Sequence, residues 1–220
     1  MTINYVGSAI AEATTLTLPA HVNGDMLVMV AFRNGSNSTQ TIPTGWRKQF
    51  NAGTNTSNVV VAIKLAGSDS ETSGTWTDST MLACAAYRSS AYILAIGFIW
   101  GTAGTTGTLQ FQSQTISDLG ATSKWIMGVA MHKSNDTNIA TPPNSVGQFT
   151  TNRASLNGAA ANGMAIHDTN GYSSISSWAT DQLTLTGTTD AWKTVGIEVC
   201  ESTYEVTSGG GGFPLGRVVN

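Results

Sequence analysis

Leu18-Pro19, Gly24-Asp25, the run Met26-Leu27-Val28-Met29-Val30-Ala31-Phe32, and then Ile42-Pro43-Thr44-Gly45-Trp46 make up the stretch that decides the fold. The apolar run is bounded by turn residues on both sides, and its length suits a strand better than a helix. A polar loop follows, opened by the turn pair Asn34-Gly35. Pro43 then leads the chain into a second strand at Trp46.

Outward from this stretch the same grammar repeats. Short β-branched and aromatic runs alternate with clusters of Gly, Asn, Asp and Ser, and helical periodicity is scarce. The expected strands are Ile3–Tyr5, Thr14–Leu18, Met26–Arg33, Trp46–Phe50, Asn58–Leu65, Thr75–Thr77, Met81–Tyr87, Ile93–Trp100, Thr108–Phe111, Trp125–His132, Ser145–Thr150, Gly163–His167, Gln182–Thr186 and Thr194–Cys200. Asn152–Ala161 is the one tempting helix, and Gly158 weakens it. The fold class is all-β: an antiparallel, jelly-roll-like β-sandwich forming one domain over residues 1–207.

The chain also resembles itself. Pro43 and Pro143, Phe50 and Phe149, and Trp76 and Trp178 each stand about one hundred residues apart. The spacing predicts two diverged half-repeats, about 14–100 and 101–207, whose apolar sheet faces bury each other.

Composition narrows the function classes. Only 10% of the 220 residues are charged, against roughly 25% in typical soluble domains. Thr, Ser, Asn and Gly take their place, which suits strands, turns and packing against other subunits. The net charge is −3 and the basic residues are scattered, so no stripe exists to neutralise a phosphate backbone, and nucleic acid is not an expected partner. No apolar run reaches the ~20 residues of a membrane-spanning helix, so no membrane partner is expected either. Met1 to Thr15 lacks a basic start and an apolar core, so synthesis without a signal peptide is expected.

Catalytic motifs are not evident. His21, His132 and His167 have no metal-ligand spacing and read as solvated strand ends. Ile166-His167-Asp168 could orient an imidazole, yet no Gly-x-Ser-x-Gly elbow completes a nucleophile system. Asp69-Ser70-Glu71 is the densest acidic cluster and reads as a solvated loop and not as a glycosidase pair. No cofactor or metal is expected, and the chain is not read as an enzyme. Cys84 and Cys200 lie in apolar strands and read as buried reduced thiols, with a disulfide left open. Four Asn-x-Ser/Thr triplets, at Asn34, Asn37, Asn55 and Asn135, are expected by chance in a chain this rich in Ser and Thr.

Two sets of residues point to interaction. The tryptophans Trp46, Trp76, Trp100, Trp125, Trp178 and Trp192 are either a sugar-stacking surface or core, and the repeat favours core. Tyr172, in Asn170-Gly171-Tyr172-Ser173, is the best candidate for an exposed aromatic contact. The run Ser208-Gly209-Gly210-Gly211-Gly212 reads as a flexible tether within 208–220. Phe213, Leu215, Val218 and Val219 beyond it form an extended C-terminal docking arm.

Leu18-Pro19, Gly24-Asp25-Met26-Leu27-Val28, Ile42-Pro43-Thr44-Gly45-Trp46, Val59-Val60-Val61-Ala62-Ile63-Lys64 and Ala85-Ala86-Tyr87-Arg88 come in an order that resembles a group of tailed-bacteriophage virion proteins. The resemblance covers about Thr14 to Arg88 and fades afterwards. It implies β-sandwich or jelly-roll subunits of capsids, tails or fibres, often trimeric and sometimes associated with sugars, and it supplies no catalytic residues. The resulting expectation is a virion structural protein, most simply a head decoration or cement subunit. It would be a homotrimer partnered by a major capsid protein or tail component, made in the bacterial cytoplasm. A carbohydrate- or receptor-binding module of a tail fibre or appendage, with a glycan ligand, is the alternative.

Overall fold

A computed structural model describes residues 3–90, 94–105, 108–115, 124–133, 149–158, 162–171, 177–178, 181–184 and 191–201. The strands in chain order are β1 Ile3–Ala11, β2 Met26–Asn34, β3 Arg47–Thr54, β4 Ser57–Leu65, β5 Met81–Ser89, β6 Leu94–Gly104 and β7 Thr108–Phe111. They continue as β8 Gln114–Thr115, β9 Lys124–His132, β10 Thr151–Asn157, β11 Gly163–Asp168, β12 Ser177–Trp178, β13 Asp181–Thr184 and β14 Trp192–Glu201. Two antiparallel five-stranded sheets stack as an all-β sandwich, in the orders β1-β5-β2-β4-β3 and β10-β11-β9-β14-β6. Two further pairs, β7 with β13 and β8 with β12, complete the described strands.

The first sheet uses only strands from Ile3–Ser89 and the second only strands from Leu94–Glu201. The chain therefore crosses between sheets ahead of residue 100, where the sequence lag suggested a joint. It also finishes one sheet before starting the other, whereas a jelly roll passes back and forth between its two sheets. Counted among its own five strands, each sheet has the order first-fifth-second-fourth-third. Across the sandwich, β1 lies near β10, β5 near β11 and β3 near β6.

Strand β2 is apolar on both faces because both faces are buried. Met26, Val28, Val30 and Phe32 enter the core between the sheets, with Val61, Ala83, Met127, Val129, Val195 and Ile197. Leu27, Met29 and Ala31 point the other way, onto Leu16, Trp46, Ala66 and Trp76. Loops thus cover the outer face of the first sheet, as a continuous apolar strand requires. Ser73 ties those loops together. Its carbonyl accepts from Trp46 Nε1 (2.9 Å) and Trp76 Nε1 (3.1 Å), and its Oγ accepts from the Leu16 N–H (2.9 Å). The two indoles meet edge-on, 5.6 Å between centroids.

On the outer face of the second sheet, large rings lie against glycines. A Cβ built on Gly196 would stand 2.2 Å from Trp100, one on Gly104 2.4 Å from Trp192, and one on Gly128 2.1 Å from Phe149. Strand glycines of this kind mark close approach of another group.

Several expectations are corrected. Thr14–Leu18 and Thr75–Thr77 are irregular segments, because their role is to lay Leu16 and Trp76 over a sheet and not to pair with it. The tempting helix from Asn152 is instead strand β10, paired along β11. It is an edge strand whose Ala154 and Leu156 pack against the core. Ser145–Thr150 is no strand where it is described: Phe149 and Thr150 precede β10. The turn between β3 and β4 is made by Asn55 and Thr56, with φ of 53° and 54°, the two-residue left-handed pair favoured in hairpins.

Candidate functional site

The open edges of the sandwich form two seams with opposite contents. At the β1–β10 seam, Arg153 fills the space. Its guanidinium lies 4.1 Å from the Tyr5 ring centroid and 5.8 Å from that of Trp125. Its Nε donates to Asp168 Oδ2 at 2.6 Å and its NH2 to Asn170 Oδ1 at 2.8 Å. Tyr5 in turn donates to Ser8 Oγ at 2.7 Å, and Ser8 Oγ donates to the Arg153 carbonyl at 3.3 Å. Burial, the largest influence on the Tyr5 phenol, raises its pKa. A half-buried cation with a carboxylate and two aromatic faces is a structural plug.

At the β3–β6 seam the space stays open. A cavity of about 310 Å³ lies there, lined by Phe50, Ala52 and Thr54 of β3, Val59 of β4, Gly101 to Ala103 of β6, and Lys193 of β14. Lys193 stands in the row Lys193, Val195, Ile197, Val199, whose other members enter the core between the sheets. Its register neighbours are Met131 on β9 and Ala103 on β6. The residue is 1% exposed, and its ammonium has no hydrogen-bond acceptor among the described residues. Burial pulls its pKa down from the ordinary 10.5 to about 8. Sequence reasoning passed over Lys193, although period-two reading of Lys193-Thr194-Val195-Gly196-Ile197 places it on the apolar row.

A larger, polar groove of about 570 Å³ lies between Thr15–His21 and Asp69–Thr75. Its acid is already engaged: Glu71 accepts from Lys64 at 2.5 Å and from the Gly67 N–H at 2.9 Å, and its pKa is lowered, chiefly by Lys64. Asp69 is exposed, so the acidic cluster is a loop, as read from sequence.

The histidines are not at solvated ends. His132 and His167 are fully buried and His21 nearly so, with its Nδ1 2.6 Å from the Pro19 carbonyl. Neighbours along a strand face opposite ways, so His167 lies toward Phe149 on the outer side while Asp168 binds Arg153 on the inner side. No imidazole–carboxylate pair results from Ile166-His167-Asp168. Among the described residues, no group of three or more His, Cys, Asp or Glu could hold a metal ion.

Trp46, Trp76, Trp100, Trp125 and Trp192 are all buried, which answers the tryptophan question in favour of core for these five. Cys84 and Cys200 are free and buried, with burial raising both thiols, that of Cys200 to about 12. Tyr172, Phe213, Leu215, Val218 and Val219 lie outside the described residues.

No family model, no curated protein and no solved structure matches the chain. Function is therefore argued from the site and the sequence alone.

Proposed function

We propose that the chain is a virion structural protein of a tailed bacteriophage, a capsid decoration or cement subunit that acts by protein–protein assembly as a homotrimer. The observation that carries the assembly part is strand β6. It reads Leu94-Ala95-Ile96-Gly97-Phe98-Ile99-Trp100-Gly101-Thr102-Ala103-Gly104, eleven residues without a charge or a proline. It is an edge strand whose one strand partner among the described residues is β14. Edges that must stay monomeric are commonly blunted by Lys, Pro or short length. An edge left long and uncharged suits strand addition by a neighbouring subunit. The phage assignment rests on the sequence resemblance over Thr14 to Arg88. The arm carrying Phe213, Leu215, Val218 and Val219 supplies a second grip.

We also read the two halves as diverged copies of one unit. Strands β2 and β9, β4 and β11, and β5 and β14 are counterparts by sequence lag, and each pair holds the same place in its sheet.

Thr102→Lys places a charge on the β6 edge. The expected result is loss of self-association in sedimentation and of incorporation into particles, with little change in unfolding temperature. Unchanged assembly by this variant overturns the edge, and unchanged incorporation after removal of residues 213–220 overturns the arm.

The second reading, a carbohydrate- or receptor-binding module of an appendage, draws support from the hydroxyl-rich groove formed by Thr15, Thr17, Thr72, Ser73 and Thr75. Saturable binding on a glycan array, lost on Tyr172→Ala, would favour it over the first.

A further inference from the structure

The two seams of the sandwich make opposite provisions for their cations. Arg153 fills its seam and finds a carboxylate, whereas Lys193 borders empty space and finds none among the described residues. The long lysine stem does not carry its ammonium to the surface, since the whole residue is 1% exposed. A buried ammonium without an acceptor is costly, and an anion beside it removes that cost.

The surroundings specify the anion. A volume of about 310 Å³ is at the small end of ligand pockets and has room for on the order of ten waters. Phe50, Ala52, Val59 and Ala103 give it apolar walls, and Thr54 adds a hydroxyl. Lysine is a compact point charge, and among the described residues lining the cavity no arginine fork stands beside it to grip a phosphate.

No second titratable side chain faces Lys193 from the inner rows of the strands around it. Near the cavity those rows hold Phe50 and Ala52 of β3, Val59 and Val61 of β4, and Val129 and Met131 of β9; Arg47, opposite Ile63 further along β3, has the same sign as Lys193, and β6 carries no charge at all. Alternation turns His132 to the opposite face. Lys133, just past the end of β9, has the same sign as Lys193 and offers no partner.

We propose that the β3–β6 cavity binds a small organic carboxylate, its carboxylate group against Lys193 and its apolar body against Phe50, Val59 and Ala103. The binding site is independent of the assembly reading and stands or falls separately from it.

The test is a titration of the full chain with sodium hexanoate, followed by the methyl resonances of Ala52, Val59 and Ala103. Hexanamide and inorganic phosphate serve as controls. Hexanoate should give saturable shifts confined to the cavity methyls, at least about tenfold tighter than hexanamide. Phosphate should give none. Lys193→Met should lose about tenfold or more in affinity, and Ala52→Phe, which fills the cavity and keeps the lysine, should abolish binding. Affinity should fall as pH rises above 8, because the free amine gives up its proton there. Equal binding of hexanoate and hexanamide, equal binding by Lys193→Met, or no saturable shift overturns the proposal. So does phosphate binding at the same methyls.

Discussion

Replacing Lys193 with methionine should make the protein more stable near neutral pH. Methionine has nearly the volume of lysine and leaves the row Val195, Ile197 and Val199 undisturbed. What it removes is a buried charge. The distance between the ordinary lysine value of 10.5 and about 8 corresponds to about 3 kcal/mol at about 1.4 kcal/mol per tenfold change. Water entering the cavity screens part of this, so a gain of about 2 kcal/mol is expected. The sign follows from linkage. Between the folded value near 8 and the unfolded value near 10.5, the unfolded chain holds more protons, so wild-type stability rises with pH through that window. Below it the penalty is fully present, and above it the penalty is gone. Urea unfolding of both proteins from about pH 7 to about pH 10 should therefore show the midpoint of Lys193→Met higher by about 1 M at the low end, the gap closing toward the high end. Other groups titrate equally in both proteins and cancel in the difference. A gain that does not change with pH, or a variant less stable at neutral pH, refutes the reasoning.

Three further predictions concern the frame. Asp25 is buried and accepts both a two-pronged bond from Arg88 (2.6 and 2.7 Å) and the Val22 N–H (2.9 Å). Burial pushes its pKa up, but these bonds prevail and hold it below the ordinary carboxylate value. Asp25→Asn should thus cost about 3 kcal/mol at neutral pH, and the difference from wild type should shrink as pH falls below about 4, where the unfolded carboxylate takes up a proton that the folded one, held at a lowered pKa, takes up only at lower pH. Gly196→Ala should cost about 1–3 kcal/mol in thermal unfolding, since its new methyl meets the Trp100 ring. A neutral result would mean that the ring moves freely. Thr56→Gly should raise stability by about 1 kcal/mol in chemical denaturation, because Thr56 now holds a left-handed φ of 54°. A loss there would mean that the Thr56 side chain supports the turn.

Much of the sandwich was legible because its signals are local. Met26–Phe32, Val59–Ile63, Met81–Tyr87 and Trp125–His132 are apolar, β-branched or aromatic runs of strand length, and each is a strand of a five-stranded sheet. Errors fell where a contact outside the segment decides its conformation. Thr14–Leu18 has strand-like composition, yet Leu16 is held to Ser73 across a loop and joins no sheet. The segment from Asn152 has tolerable helix propensity, but its neighbour β11 decides its conformation. The histidines were read as solvated because they end apolar runs. The burial of His132 and His167 depends on what packs over the outer face of the second sheet, including Phe149 beside His167.

The sequence by itself determined that this is an all-β chain with little charge, and that Met26–Phe32 is a strand bounded by turn residues. Period-two alternation and turn residues are properties of neighbours in the chain. Only the tertiary structure decided that the loops on either side fold back as the outer cover of that strand, in which order the strands of each sheet pair, and that one seam is plugged by Arg153. It also decided that Lys193 borders an open cavity at the other seam. Those outcomes depend on which surfaces meet across the sandwich, and the cost of a buried charge is set by the partner it lacks there, not by its place in the sequence.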